Sequence, residues 1–207
     1  MQTTSDPSVP SGPPRSAPGR LELVRQFVNT ADLADGKDEL DGLDALAAWL
    51  RERALIGPRE RLAPDDLQRA LGVREALRDL LENRSGGALD EAAVHALNAV
   101  PAGALLRVVF DRQGTPQLES VAGGLDRALG ELFAIIHAAA VDGSWDRLKV
   151  CADDGCRWAF YDQSRNRSRS WCNMASCGNR AKARSYRQRQ RPAGGPPPGQ
   201  PPGQPAS

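Results

Sequence analysis

All four cysteines of this 207-residue chain, Cys151, Cys156, Cys172 and Cys177, fall within 27 residues in the pattern C-x4-C-x15-C-x4-C. Two pairs with equal short gaps, joined by a medium loop, suit a tetrahedral ion that takes two ligands from each of two turns. Asp154-Gly155 places a turn inside the first gap, between the apolar runs Leu148–Val150 and Trp158–Tyr161, so a hairpin tipped by a metal knuckle is expected. The competing uses of four thiols are two disulfides or four unrelated buried side chains. Residues 1–20 are polar and proline-rich, without the apolar centre of a signal peptide, and no stretch approaches the ~18–20 apolar residues of a membrane span. The chain is therefore expected in a reducing cytoplasm, where clustered cysteines more often hold metal than form disulfides. One structural Zn2+ is favoured over an iron–sulfur cluster, because a small module that cannot bury its own core is the usual place for one.

The formal net charge of +1 conceals a division. Residues 1–144 hold 15 Lys/Arg against 22 Asp/Glu, whereas residues 145–207 hold 12 against 4. From Arg165 to the C-terminus there are nine basic residues and no acidic one. An acidic body followed by a basic effector end is the reading this supports.

The expected fold class is α+β, mostly α: a helical N-terminal body with a small β-hairpin, then a small zinc-bound hairpin–helix module. Residues 1–20 and 192–207, rich in Pro, Gly and Ser, are expected to be disordered. Between them, 21–142 reads as the body and 143–191 as the module. Leu21, Val24, Phe27 and Val28 fit a first helix, although Leu21/Leu23 alternation leaves a strand open. Leu43, Leu46, Ala47, Leu50 and Ala54 form a second stripe, ending near Gly57-Pro58. Asp65 is placed to cap a third helix with Leu67, Ala70, Leu71, Leu77, Leu80 and Leu81, stopped by Ser85-Gly86-Gly87. A shorter helix carries Leu89, Ala92, Ala93, Ala96, Leu97 and Val100 before Pro101. The period then changes to alternation at Leu106, Val108 and Phe110, and a turn at 111–114 leads into 117–122, a hairpin. The last body helix, with Leu125, Leu129, Leu132, Phe133 and Ile136, runs to about Val141, where Asp142-Gly143 marks the boundary.

Two basic runs flank the second cysteine pair: Arg165, Arg167 and Arg169 before it, and Asn179, Arg180, Lys182, Arg184, Arg187 and Arg189 after it. The second run has high helix propensity up to Pro192. At 100° per residue, Arg180, Arg184, Arg187 and Arg191 lie along one side. Nine cations without one acid repel one another unless an anion is present, so DNA is the expected partner. The helix lacks the apolar face that membrane binding uses. Trp158, Phe160, Tyr161 and Trp171 are expected to pack the small metal-centred core.

Residues Cys151–Arg189 resemble the bacterial CGNR zinc-finger family, through Cys177-Gly178-Asn179-Arg180, Cys-x4-Cys-Arg-Trp at 151–158, Asp162-x-Ser-Arg-Asn, and Trp171-Cys172-Asn173-Met174. The body resembles that family's usual N-terminal domain, ABATE, through Leu23-Val24-x-x-Phe27-Val28-Asn29-Thr30 and Leu71-Gly72-Val73-Arg74-Glu75-Ala76-Leu77. The resemblance implies a stress-induced transcription regulator in which the zinc module binds DNA and the body senses a ligand.

Arg74 falls inside an apolar stripe, so its head is expected to point into the body, where it needs a carboxylate or an anionic ligand. Asn29, Thr30 and Trp49 are candidates to line the same pocket for an unknown small-molecule signal. A zinc-thiolate redox switch and an RNA- or protein-binding zinc module are the alternative functions. An enzyme is not expected: four protein ligands leave zinc no open position, and His95 and His137 stand near no nucleophile motif. One short basic helix binds DNA weakly, which makes a homodimer formed through the body the expected way to gain affinity.

Overall fold

The computed structural model describes residues 16–83, 90–99 and 105–190. About half of the described residues are helical, with three small antiparallel hairpins among them. Residues 1–15 of the expected 1–20 tail, the tail at 192–207, the Ser85-Gly86-Gly87 stop, Leu89, Val100, Pro101 and Arg191 lie outside the described residues.

Helix α1 (Leu21–Val28) buries Leu21, Val24, Phe27 and Val28, which closes the strand alternative. The residues before it already join the fold: Ala17 is buried and its N–H donates to Glu22 Oε2 at 2.7 Å. After α1, β1 (Ala31–Asp32) and β2 (Lys37–Asp38) form a two-rung ladder that periodicity does not announce, because two residues per strand carry no pattern. Helix α2 (Leu43–Glu52) packs Leu46, Ala47, Trp49 and Leu50 inward, and stops short of the expected Gly57-Pro58. Ala54 adopts a left-handed φ of 54°, so it ends the stripe instead of extending it.

Helix α3 (Asp66–Asn83) is the central strut. It buries Ala70, Val73, Ala76, Leu77 and Leu81, with Leu67, Leu71 and Leu80 packed at the margin. Helix α4 (Glu91–Ala99) starts where the Asp90 carboxylate accepts the N–H groups of Ala92 and Ala93, an N-cap. Strands β3 (Leu106–Phe110) and β4 (Pro116–Ser120) form the expected hairpin, Leu106 opposite Ser120 and Phe110 opposite Pro116. Ser120 is buried against Gly130 of α5 (Gly124–Val141), where a Cβ would meet Ser120 Oγ at 2.7 Å. No described helix is long and apolar enough to cross a membrane.

Past the expected boundary at Asp142-Gly143, a 3-10 turn (Trp145–Arg147) leads into β5 (Leu148–Val150), which pairs with β6 (Ala159–Tyr161). This hairpin is part of the body's core. Leu148, Val150 and Ala159 are fully buried in the same apolar cluster as Phe27, Leu77 and Leu132. Asn29 extends β6 as a side-chain rung: its Nδ2 donates to Ala159 O at 2.8 Å and its Oδ1 accepts from Ala159 N at 2.7 Å. Replacing Asn29 by Ala leaves the buried Ala159 N–H unpaired and its carbonyl with only the 3.5 Å contact from Arg25 Nη1, and is expected to cost about 2 kcal/mol. Urea denaturation checks this, with far-ultraviolet ellipticity and tryptophan emission expected to shift together because body and hairpin share one core.

Candidate metal centre and cationic surface

The β5–β6 turn sets the first cysteine pair. Cys151 leaves β5 with its N–H on Trp158 O, and the chain reverses through Asp153, whose carbonyl accepts from Cys156 N at 2.7 Å. The residue that takes the left-handed conformation is Arg157 (φ 46°), between Cys156 and Trp158, and not Gly155. Its strained backbone is held by what it contacts: its guanidinium reaches Asp79 and Glu82 on α3, and its carbonyl accepts from the buried Arg78.

Cys177 lies in a single π turn (Met174–Gly178) that runs into α6 (Asn179–Gln190), and Cys172 stands two residues ahead of that turn. The π bond is Gly178 N to Asn173 O, and Asn173 Oδ1 accepts Ala175 N at 2.8 Å. A Cβ at Gly178 would meet the sulfur of the exposed Met174 side chain, which would have to swing aside to admit it. The basic helix therefore starts two residues after Cys177, with the ligand held in the wider π turn ahead of it.

The four Sγ atoms lie within 4.8 Å of one another, and Cys172 is 3.7 Å from both Cys156 and Cys177. That separation matches the ~3.8 Å edge of a tetrahedron with Zn–S bonds of about 2.3 Å, and far exceeds a disulfide bond. The electrostatics agree. The thiol of Cys151 falls to about 2 because Cys156 and Cys172 donate to it, whereas Cys156 is pushed up to about 12 and Cys172 is also raised, each held protonated by the thiolate beside it. Of these three, one thiolate excludes the others until a cation is present; a dication removes that conflict. Trp158 and Trp171 pack on the cysteine cluster as expected, but Tyr161 packs on the body core. The donor set fits a closed, structural zinc.

Each letter of the CGNR run has a local task. Cys177 is the ligand and Gly178 leaves space that the Met174 side chain fills. Asn179 donates to Ala175 O at 2.9 Å, which ties it to the π turn. Arg180 Nε donates to Asp153 Oδ2 at 2.8 Å while its Nη2 lies 3.1 Å from Cys177 Sγ. Arg184 donates to the other oxygen of Asp153 at 3.0 Å. Burial pushes the Asp153 carboxyl up, but the two guanidinium groups outweigh it and hold it below its ordinary value. Two of the stripe arginines thus fasten α6 to the first knuckle. Arg165, Lys182, Arg187 and Arg189 are exposed and make no ion pair with a carboxylate among the described residues. Arg167 meets Asp146 at 3.4 Å with both side chains about half exposed, a contact worth little.

Arg165, Arg167 and Arg169 ride on a loop organised by a buried pair that residue types alone did not single out. Lys149 Nζ donates to Asp162 Oδ2 at 3.0 Å and to the carbonyls of Arg167 and Arg169. Asp162 also accepts the N–H groups of Ser164 and Arg169, both at 2.9 Å. Burial raises the Asp162 carboxyl, yet these donors together hold it well below the carboxylate range. The signal was a lysine on β5 and an acid just past the end of β6 in a mostly apolar hairpin.

The residues expected to line a ligand pocket are distributed differently. Thr30 Oγ1 accepts from Arg74 at 3.2 Å, so these two do meet. The anion that Arg74 requires is internal: Asp38 binds it through two oxygens at 2.7 and 2.8 Å, and Glu75 adds a third contact. Asn29 is spent on Ala159, and Trp49 packs between Phe27 and Arg53, whose guanidinium stands 4.1 Å over its ring. A cavity of about 770 Å³ lies elsewhere, between residues 18–21, the β3–β4 hairpin and α5.

Two outcomes follow from this geometry. Chelation should release α6 and the second knuckle while β5–β6 stays in the core; trypsin should then cut among residues 180–189, with the body's thermal transition retained. For Asp162, the folded carboxyl is depressed, so its contribution is full above the unfolded value near pH 4 and is lost as pH falls below it. The difference in urea midpoint between the native chain and Asp162→Asn should therefore be largest near neutrality and shrink in acid. A pH-independent difference would contradict the assignment.

Comparison with known families follows the same division. Residues 147–190 match the CGNR zinc finger. Residues 21–143 match ABATE, described as a putative stress-induced transcription regulator. No curated protein was found to match the chain. With more than half of its length in the ABATE match, and the zinc finger following it, the chain belongs to the ABATE family and carries a C-terminal CGNR zinc finger.

Proposed function

We propose that the protein is a DNA-binding transcription regulator whose zinc is structural and whose body responds to a stress signal. The observation that carries this reading is α6. From Asn179 to Gln190 it has five cations and no acid. Of its described residues, all but Ala181 are exposed. A helix that is polar all round has no core of its own to dock on. This one is held at one end by the π turn and by Asp153, leaving Lys182, Arg187 and Arg189 pointing into solvent. Such a helix suits a phosphate backbone, which would relieve its self-repulsion. The family description supports regulation, and the α3–Arg157 contact offers a route from body to knuckle. Catalysis at the zinc is not proposed, because four thiolates leave no position for water. A cytoplasmic location and binding to DNA as a pair of chains complete the reading.

The test is fluorescence anisotropy of the zinc-loaded chain on duplex DNA over a range of salt. Each of Lys182→Ala, Arg187→Ala and Arg189→Ala should lower affinity and reduce the salt slope by about one unit per lost phosphate contact. Arg184→Ala should act differently, since it also loosens α6 from Asp153. An unchanged slope in the triple variant sinks the proposal, and preferential competition by RNA transfers it to an RNA ligand.

A further inference from the structure

Four thiolates around one Zn2+ carry a net double negative charge. Cys151, Cys156 and Cys177 are buried, and Trp158 and Trp171 pack on the cluster, so water screens that charge poorly. Asp153, its carboxylate 3% exposed, adds a further negative charge beside the first knuckle. Among the described residues, Arg180 is the cation that reaches a ligand sulfur. Its Nη2 donates to Cys177 Sγ at 3.1 Å while its Nε donates to Asp153 Oδ2 at 2.8 Å. Helix geometry puts it there: side chains lean toward the N-terminus of their helix, so a long one in the first turn of α6 lies back over Cys177, three residues earlier. The planar guanidinium serves carboxylate and sulfur at once, which the single ammonium of a lysine does not do in the same geometry. Ser176 Oγ also meets that sulfur, at 3.8 Å and without charge.

We propose that Arg180 sets the zinc affinity of the site through its N–H···S bond to Cys177, so that the last letter of the CGNR run belongs to the metal centre. Zinc takes its ligands as thiolates, so loading gathers negative charge where a fixed guanidinium already stands. The loaded form therefore gains more from that guanidinium than the empty one, as a charge-assisted bond requires. A donor bound to a ligand also orients it and alters its hold on the metal. Arg184 is the internal control. It binds the other oxygen of Asp153 at 3.0 Å, and its ion pair is with that carboxylate, not with a sulfur. Whatever Asp153 alone contributes is common to both arginines, whereas the sulfur bond belongs to Arg180. Zinc affinity is read without DNA, so this outcome and the salt titration can fail separately.

Competition for Zn2+ between the full chain and a chelating dye measures the effect. Arg180→Ala should weaken zinc binding by about ten- to a hundredfold. Arg184→Ala should weaken it by only about threefold, as loss of a half-exposed ion pair does. Arg180→Lys, which keeps the charge but not the fork, should fall between them. With Co2+ in place of Zn2+, the sulfur-to-metal charge-transfer band should move to lower energy in Arg180→Ala, because a thiolate without its donor gives up an electron more readily. In Arg184→Ala the band should stay where it is. Arg180→Met keeps side-chain length and helix propensity without a donor, and should move the band even if the alanine variant loosens α6. Native zinc affinity in Arg180→Ala overturns the proposal, as does an equal loss in Arg180→Ala and Arg184→Ala, or a band that neither Arg180→Ala nor Arg180→Met moves.

Discussion

One buried guanidinium holds the molecule together. Arg78 on α3 is fully buried and donates to Val28 O at 2.6 Å, Ala31 O at 3.3 Å and Arg157 O at 3.1 Å, with Glu75 as its countercharge. Those carbonyls belong to the end of α1, the first strand and the zinc knuckle. A charge taken out of water at this depth is tolerable only when its donors are satisfied. Moving any of the three segments would break that condition. Arg25 and Asn29 add to the same seam at Ala159, so the joint between helical body and zinc hairpin is made of backbone groups bound by body side chains.

This joint changes how the chain's charge division is to be understood. The acidic body is not remote from the basic end: Asp79 and Glu82 on α3 are the partners of Arg157 beside a zinc ligand. The basic side chains then separate by task. Arg78, Arg157, Lys149, Arg180 and Arg184 build the scaffold, whereas Lys182, Arg187 and Arg189 are left for solvent or an anionic partner. Zinc and Asp153 act together, one fixing the start of α6 and the other its direction.

Helices α1, α2, α3 and α5 were legible because each buries a periodic apolar face longer than one turn. The β3–β4 hairpin was legible because its apolar residues alternate on either side of a turn, although Val108 and Phe110 stay exposed. The two-rung β1–β2 ladder was not, because two residues show no period. Arg74 could be placed inward from its neighbours Leu71 and Leu77. Arg78, one turn further along the same face, is buried deeper still, and only the arrangement of carbonyls around it explains why. Asn29 looked like a pocket residue because polar groups beside an apolar helix have several uses; its use here depends on β6 arriving from 130 residues away.

Local chemistry alone was enough for the cysteine spacing to determine a metal centre, and for the basic run without acids to determine an exposed cationic helix. Neither depends on where distant segments lie. Tertiary structure decided which cations remain available, what satisfies Arg74, and that body and zinc hairpin share one core. Each of these depends on pairing a buried donor or charge with a partner far away in sequence, and a one-dimensional pattern does not encode that distance.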